Sequence, residues 1–204
     1  MTRLLDEDQL RRFATLLRER AVPLDEWTRP GLNDMDIDAT ISPLGLRLPR
    51  EARIWWHWRD GTIHRGRRKL PGPWREALSL QGAVDRYREL RQIARDTASD
   101  WPQNDPDLLW HPSWLPIIGT AQPTALDCSV SVDAPTPVVH VDWADLDRSL
   151  QPRFSVPRAS SLGEMVDWWI MALEADIWYW NEADGWWRTR RERLDPQLQT
   201  NPLI

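Results

Sequence analysis

Cysteine, lysine and long apolar runs are scarce in this 204-residue chain, and each scarcity excludes something. A single cysteine, Cys128, rules out an intramolecular disulfide and any zinc site built on several thiolates. No stretch approaches the roughly 20 apolar residues of a membrane span. The opening residues, MTRLLDEDQLRRF, carry acids where a secretory leader needs its apolar core. Lys+Arg 26 against Asp+Glu 31 gives a net charge of −5, without the cationic excess that holds sequence-independent nucleic-acid binders to phosphate. Lys69 is the one lysine, and Phe and Tyr occur only twice each. These features predict a soluble, cytoplasmic single domain that touches neither membrane nor nucleic acid directly.

Tryptophan is what the chain has instead, with 15 residues. Buried at about 200 Å² each, they would remove on the order of 3,000 Å² from water, so Trp is expected to fill most of the core. Charge is segregated along the chain. Residues 1–100 carry 19 basic and 16 acidic side chains, whereas 101–187 carry 3 basic and 13 acidic. An acidic stretch of that kind can present a negative surface that steers a basic partner, or simply a solvated face. Its candidate contacts are Asp142, Trp143, Asp145 and Asp147, and then Glu182 and Asp184 at a late turn, since aromatic anchors ringed by charge are common in binding hot spots.

Leu10, Phe13, Ala14 and Leu17 share one helical face, predicting a helix over 4–20 that Pro23 ends. Asn33 or Asp34 can cap a second helix with Ile37, Ile41 and Leu44 inward and Gly45 as its stop. Leu48-Pro49 opens a third, running through Trp55, Trp56 and Trp58 to an Asp60-Gly61 turn. HRGRRK at 64–69 reads as a mobile basic loop. Ser79 can cap a helix over 80–97 that buries Leu80, Val84, Tyr87, Leu90, Ile93 and Ala94. Apolar runs at 114–118, 125–132 and 137–143 have strand length. Ser161 and Glu164 form a capping-box pattern before a helix over 162–175. IWYW at 177–180 and WW at 186–187 flank Asp184-Gly185 as a hairpin, and the polar tail after Arg188 is expected to fray. The order of elements predicts an α+β fold, with helices packed on a mostly antiparallel sheet.

No catalytic constellation emerges. His57, His64, His111 and His140 share no metal-ligand spacing. Asp34, Asp36 and Asp38 imitate a calcium loop that lacks its Gly and its bidentate Glu, so neither metal nor cofactor is expected. Cys128 and His140 can be imagined as nucleophile and base, but a lone cysteine in an apolar run is usually a buried small hydrophobe. The Trp pairs at 55–56, 168–169 and 186–187 suggest a different class, a carbohydrate- or aromatic-ligand-binding module with one Trp of each pair outside.

LPREARIWWHWRDG at 48–61, WHPSWLPI at 110–117, Leu126-Asp127, a Pro-Val-Val strand at 137–139 and Ser-Leu-x-Glu-Met at 161–165 follow one another in an order that resembles the SUKH superfamily. This superfamily includes fungal cell-wall-synthesis regulators and bacterial toxin-immunity proteins. The resemblance covers about residues 30–187, leaving 1–29 as an N-terminal helical extension and 188–204 as a tail. It departs at Arg50-Glu51-Ala52, where the family carries an acidic-aromatic pair, and in the basic 64–69 loop. It implies a single α+β domain without catalysis that binds another protein. In bacteria that partner is typically a cognate polymorphic toxin, a nuclease or deaminase, and the acidic 101–187 stretch suits a basic one. The alternative within the family is a regulator-like scaffold. Leu48, Pro49, Trp55, Trp114, Pro116 and Leu162 would be structural. Oligomeric state stays open.

Overall fold

A computed structural model of the chain describes residues 3–63, 70–100, 105–119, 121–141 and 158–204. It is a single α+β domain of helices and small antiparallel sheets. Helix α1 (Glu7–Glu19) buries Leu10, Phe13, Ala14 and Leu17, the predicted face. A reciprocal capping box starts it: Asp6 accepts from the Gln9 N–H while the Gln9 side chain accepts from the Asp6 N–H. Val22 N–H then bonds back to Leu17 O with Ala21 left-handed at φ 54°, and Pro23 leads into a short helix α2 (Leu24–Trp27).

Strand β1 (Thr28–Pro30) follows, then helix α3 (Asp34–Ile41), which Asn33 caps by accepting from Asp36 N–H. A 3₁₀ turn over Ser42–Leu44 ends at left-handed Gly45. Leu48 and Pro49 are buried, and helix α4 (Arg50–Trp58) runs from them. The segment expected to turn at Asp60-Gly61 is instead strand β2 (Arg59–Thr62), paired antiparallel with β1. Gly61 is needed there because a Cβ would stand 2.3 Å from Ser79 N, and its φ is +72°. The basic loop at 64–69 lies outside the described residues.

Helix α5 (Leu80–Asp100) is capped as expected, with Ser79 Oγ accepting from Gly82 N–H. Its inner face holds Leu80, Ala83, Val84, Leu90, Ala94 and Ala98; Ile93 faces solvent at 41% exposure, not the core. Helix α6 (Pro106–Leu109) precedes a three-stranded sheet in the order β3 (Trp114–Ile118), β4 (Thr124–Asp127), β5 (Val138–His140). Strand alternation gives this sheet two buried faces. Leu115, Ile117, Leu126 and Val138 join the main core, whereas Ala125, Val139 and Val141 pack with Leu90, Ala94, Leu109 and Trp110.

Helix α7 (Leu162–Glu174) buries Leu162, Met165, Val166, Trp169, Ile170 and Leu173. Ser161 Oγ accepts from Glu164 N–H, but the Glu164 carboxylate turns to Ser160 N–H (2.6 Å) instead of closing the box on Ser161. The chain ends in a hairpin of β6 (Trp178–Asn181) and β7 (Trp186–Thr189), followed by a tail that does not fray. Leu194, Leu203 and Ile204 are buried, and Trp169 Nε1–H donates to Leu203 O at 2.7 Å.

Tryptophan fills the core as composition predicted. Phe13 meets Trp74 edge-on at 5.5 Å between ring centroids and Trp169 at 5.7 Å; Trp169 in turn meets Trp55 at 5.9 Å and Trp178 at 6.2 Å. Trp55 and Trp56 are both buried, against the expectation that one of each pair faces out. Helix α4 is enclosed by α1, α3, α7 and β2, so side chains about 100° apart on its wheel both reach packed surroundings.

Glu51 knots the fold together. It is 2% exposed and accepts three main-chain N–H groups: Oε1 from Leu5 (2.6 Å) and Gly163 (2.9 Å), Oε2 from Thr136 (2.5 Å). Three remote segments thus meet on one carboxylate. Gly163 is required at this point, since a Cβ would lie 2.5 Å from Leu5 N.

A candidate protein-binding hairpin

Of the residues singled out for partner contact, Asp142, Trp143, Asp145 and Asp147 lie outside the described residues. Glu182 and Asp184 sit in the β6–β7 turn, both exposed. The turn is fixed by its own side chains. Asn181 Oδ1 accepts from Ala183 N–H (3.1 Å), Asn181 O accepts from Gly185 N–H (2.9 Å), and Gly185 takes φ +66°. Asp184 is committed locally: Oδ1 accepts from Trp186 N–H (3.2 Å) and Oδ2 from Arg188 Nε–H (2.9 Å). Arg188 thus offsets the Asp184 charge, and Glu182 is the turn's other exposed acid.

Four other acids of the stretch are paired in the same way. Asp107 pairs with Arg91 at 2.8 Å, Asp167 with Arg3 at 3.6 Å and Asp176 with Arg20 at 3.6 Å, and Glu174 accepts from Arg12 Nε–H at 2.9 Å. Arginines of the basic portion thus offset four acids of the later segment across the fold. Each such exposed pair contributes little to stability, on the order of 0–1 kcal/mol, but together they leave the described part of 101–187 less negative than its composition suggests.

The hairpin's aromatic surface is the feature that sequence reasoning missed. Register pairs Trp180 with Trp187, Tyr179 with Arg188 and Asn181 with Trp186. Alternation then places Trp178, Trp180 and Trp187 on one face, with Tyr179, Trp186 and Arg188 on the other. Trp178 anchors the inner end in the core, against Trp169. Toward the tip Trp180 emerges to 39% exposure and meets Trp187 edge-on at 6.3 Å. These two rings and the Arg20–Pro23 segment line a 330 Å³ cleft. On the opposite face the Arg190 guanidinium lies 3.7 Å from the Tyr179 ring centre, and Arg188 lies 5.7 Å from that of Trp186. Such cation–π contacts hold long arginines flat over aromatic surface.

Both non-glycine left-handed residues found among the described ones border this hairpin: Ala21 in the cleft wall and Asp176 just before β6. Each costs on the order of 1–2 kcal/mol. Arg20 spans the two helix ends they close, donating to Leu173 O at 2.5 Å and pairing with Asp176. The alternating IWYW…WW pattern around Asp-Gly was the available signal for this surface, since period 2 predicts which rings pair across the turn.

The imagined Cys128–His140 pair does not assemble. His140 stands opposite Thr124, with Nδ1 3.1 Å from its Oγ1, whereas Cys128 lies four residues along that strand direction, roughly 13 Å away at 3.3 Å per residue. Burial first, and the neighbouring Asp127 charge second, push the Cys128 thiol up to about 12. Asp127 itself is partly buried, which opposes ionisation, but Ser129 and Ser113 donate to its carboxylate and hold it below the usual carboxylate range. Among the described residues no group of His, Cys, Asp and Glu is arranged to hold a metal ion, and no helix is long and apolar enough to cross a membrane. Compared with protein-family models the chain matches none, and no curated protein matches it.

Proposed function

We propose that this chain is a non-catalytic protein-binding domain of the immunity type, which neutralises a cognate polymorphic toxin by direct contact in the cytoplasm. The observation that carries the reading is the β6–β7 hairpin. It is a two-stranded element rooted in the core by Trp178, whose outer end exposes Trp180 on one face and carries arginines stacked over Tyr179 and Trp186 on the other. Exposed Trp and Tyr with interleaved Arg are the side chains from which interface hot spots are most often built. The SUKH-like motif order supports the same class, and the separation of Cys128 from His140 leaves the imagined nucleophile without its base.

The partner proposed is a basic toxin domain of nuclease or deaminase type, met by the acidic residues Asp142, Asp145 and Asp147 with Trp143, and by exposed Glu182. A regulator-like scaffold would use the same hairpin on a different protein. A carbohydrate module is disfavoured, because Trp55, Trp56 and Trp169 are core residues.

Co-expression with a toxin domain encoded beside the gene tests the proposal. Growth should be restored, and a stoichiometric complex should co-elute in size-exclusion chromatography. Substrate turnover by the purified chain, or a toxin domain that neither binds nor is neutralised, would overturn it.

A further inference from the structure

A second cleft, of 460 Å³, opens between the 3₁₀ turn at Pro73–Glu76, the open ends of β3–β5 and strand β7. Arg75, Arg188 and Arg191 line it together with His140, Gln122 and Thr124, and among the described residues no aspartate or glutamate side chain does. That is an unusual surface for a chain of net charge −5. The cations are placed by the fold. Gly72, at φ +56°, carries the chain over the Trp178 ring so closely that a Cβ would lie 2.2 Å from it. The turn behind it is stitched to the β3 edge by Gly119 N–H to Glu76 O (3.0 Å) and Leu78 N–H to Ile117 O (2.8 Å), which holds Arg75 at the rim. Arg191 is braced from the opposite side, donating to Gln199 O (2.6 Å) and Ile204 O (3.3 Å). Among the described residues neither Arg75 nor Arg191 is paired with a side-chain carboxylate.

We infer that this cleft binds a small phosphate-bearing ligand. Arg188 is already paired with Asp184, so Arg75 and Arg191 carry the charge that no side-chain carboxylate offsets among the described residues, and an anion seated between them would offset it. Guanidinium forks match the geometry of phosphate oxygens, whereas a single carboxylate would engage only one of the three. The volume lies in the small-molecule range of about 300–1,000 Å³, and Ile118, Trp187 and Pro202 give the cleft apolar walls for the rest of the ligand. The cleft shares Trp187 and Arg188 with the hairpin proposed as the toxin contact, but Arg75 and Arg191 lie outside that hairpin, so variants at these two positions test the cleft without touching the toxin contact.

Isothermal titration of the full chain with pyrophosphate and with a nucleoside diphosphate tests this. Saturable one-site binding is expected, weakened about tenfold or more by Arg75→Gln and by Arg191→Gln. Arg11→Gln, remote on α1 and paired with Glu7 and Asp8, should leave it unchanged. Arg75 holds no ion pair among the described residues, so its variant should keep the thermal unfolding midpoint and separate lost binding from lost fold. No saturation at millimolar concentration, or equal weakening by all three variants, would overturn the inference. So would binding of an acidic peptide in place of either phosphate compound.

Discussion

Replacing Glu51 with alanine removes the one side chain on which the N-terminal segment, the 132–136 loop and the start of α7 converge. Three main-chain N–H groups, of Leu5, Thr136 and Gly163, would lose their acceptor. A buried donor left unsatisfied costs about 1–3 kcal/mol. The 160 Å³ cleft beside the knot, lined by Leu5, Arg50, Asp133 and Ala134 among others, admits water to part of the vacated space, which favours the lower end. The expected loss is about 3–5 kcal/mol, a large share of the roughly 5–15 kcal/mol that holds a domain folded. Glu51→Gln should lose less. Its carbonyl can keep Leu5 and Gly163, while its amide N–H₂ opposes the Thr136 N–H, for about 1–3 kcal/mol. Urea unfolding followed by tryptophan fluorescence gives both values. Hydrogen exchange should show the amides of Leu5, Thr136 and Gly163 losing protection before the rest of the core. An alanine variant within about 0.5 kcal/mol of the parent, the range of ordinary surface substitutions, would refute the account of Glu51 as a structural centre.

Leu203→Ala should destabilise by about 2–4 kcal/mol, because Leu203 is fully buried and its carbonyl accepts from Trp169; an unchanged thermal midpoint would mean that the tail frays after all. The carboxyl of Asp127 is held below its ordinary range, so its stabilising contribution is present above the unfolded value, about 3.9, and is lost as pH falls through the lower folded value. Asp127→Asn should therefore flatten the fall of the urea midpoint in that acidic window, and parallel pH profiles would contradict this. Trp180→Ala should shift stability by no more than about 1 kcal/mol, since the ring is partly exposed, while shortening the lifetime of a partner complex tenfold or more. Surface plasmon resonance on folded variant and parent separates the two effects.

The longer helices were legible because each shows its period, as α1 does through Leu10, Phe13 and Leu17 and α7 through Leu162, Met165, Val166 and Trp169, whereas the four-residue α2 and α6 are too short to show one. The β1–β2 pair was not. It is three and four residues long, and its Asp60-Gly61 is the dipeptide of a turn; only the approach of Gly61 to Leu78 and Ser79 explains its extended setting. The tail escaped for a related reason: Leu194, Leu203 and Ile204 are isolated apolar residues in polar surroundings, and their burial depends on a surface formed elsewhere. Glu51 stood out in the sequence only as part of Arg50-Glu51-Ala52, a departure from the family pattern, because its hydrogen-bond partners lie 46, 85 and 112 residues away in the chain and no local pattern marks its role. At the candidate site the sequence indicated the turn and its two acids, but not that Asp184 would be occupied by Arg188 or that the surrounding rings would form the more prominent surface. Charge totals were the least informative, because Arg3, Arg12, Arg20 and Arg91 reach across the fold to the acids of the later segment.

Hydrogen–deuterium exchange of the chain alone and in complex with the neighbouring toxin domain tests the central claim most directly. The account predicts new protection over 178–189, greatest around Trp180, and over the acidic 142–147 stretch. A stable complex that leaves the exchange of 178–189 unchanged and protects a different surface would contradict it.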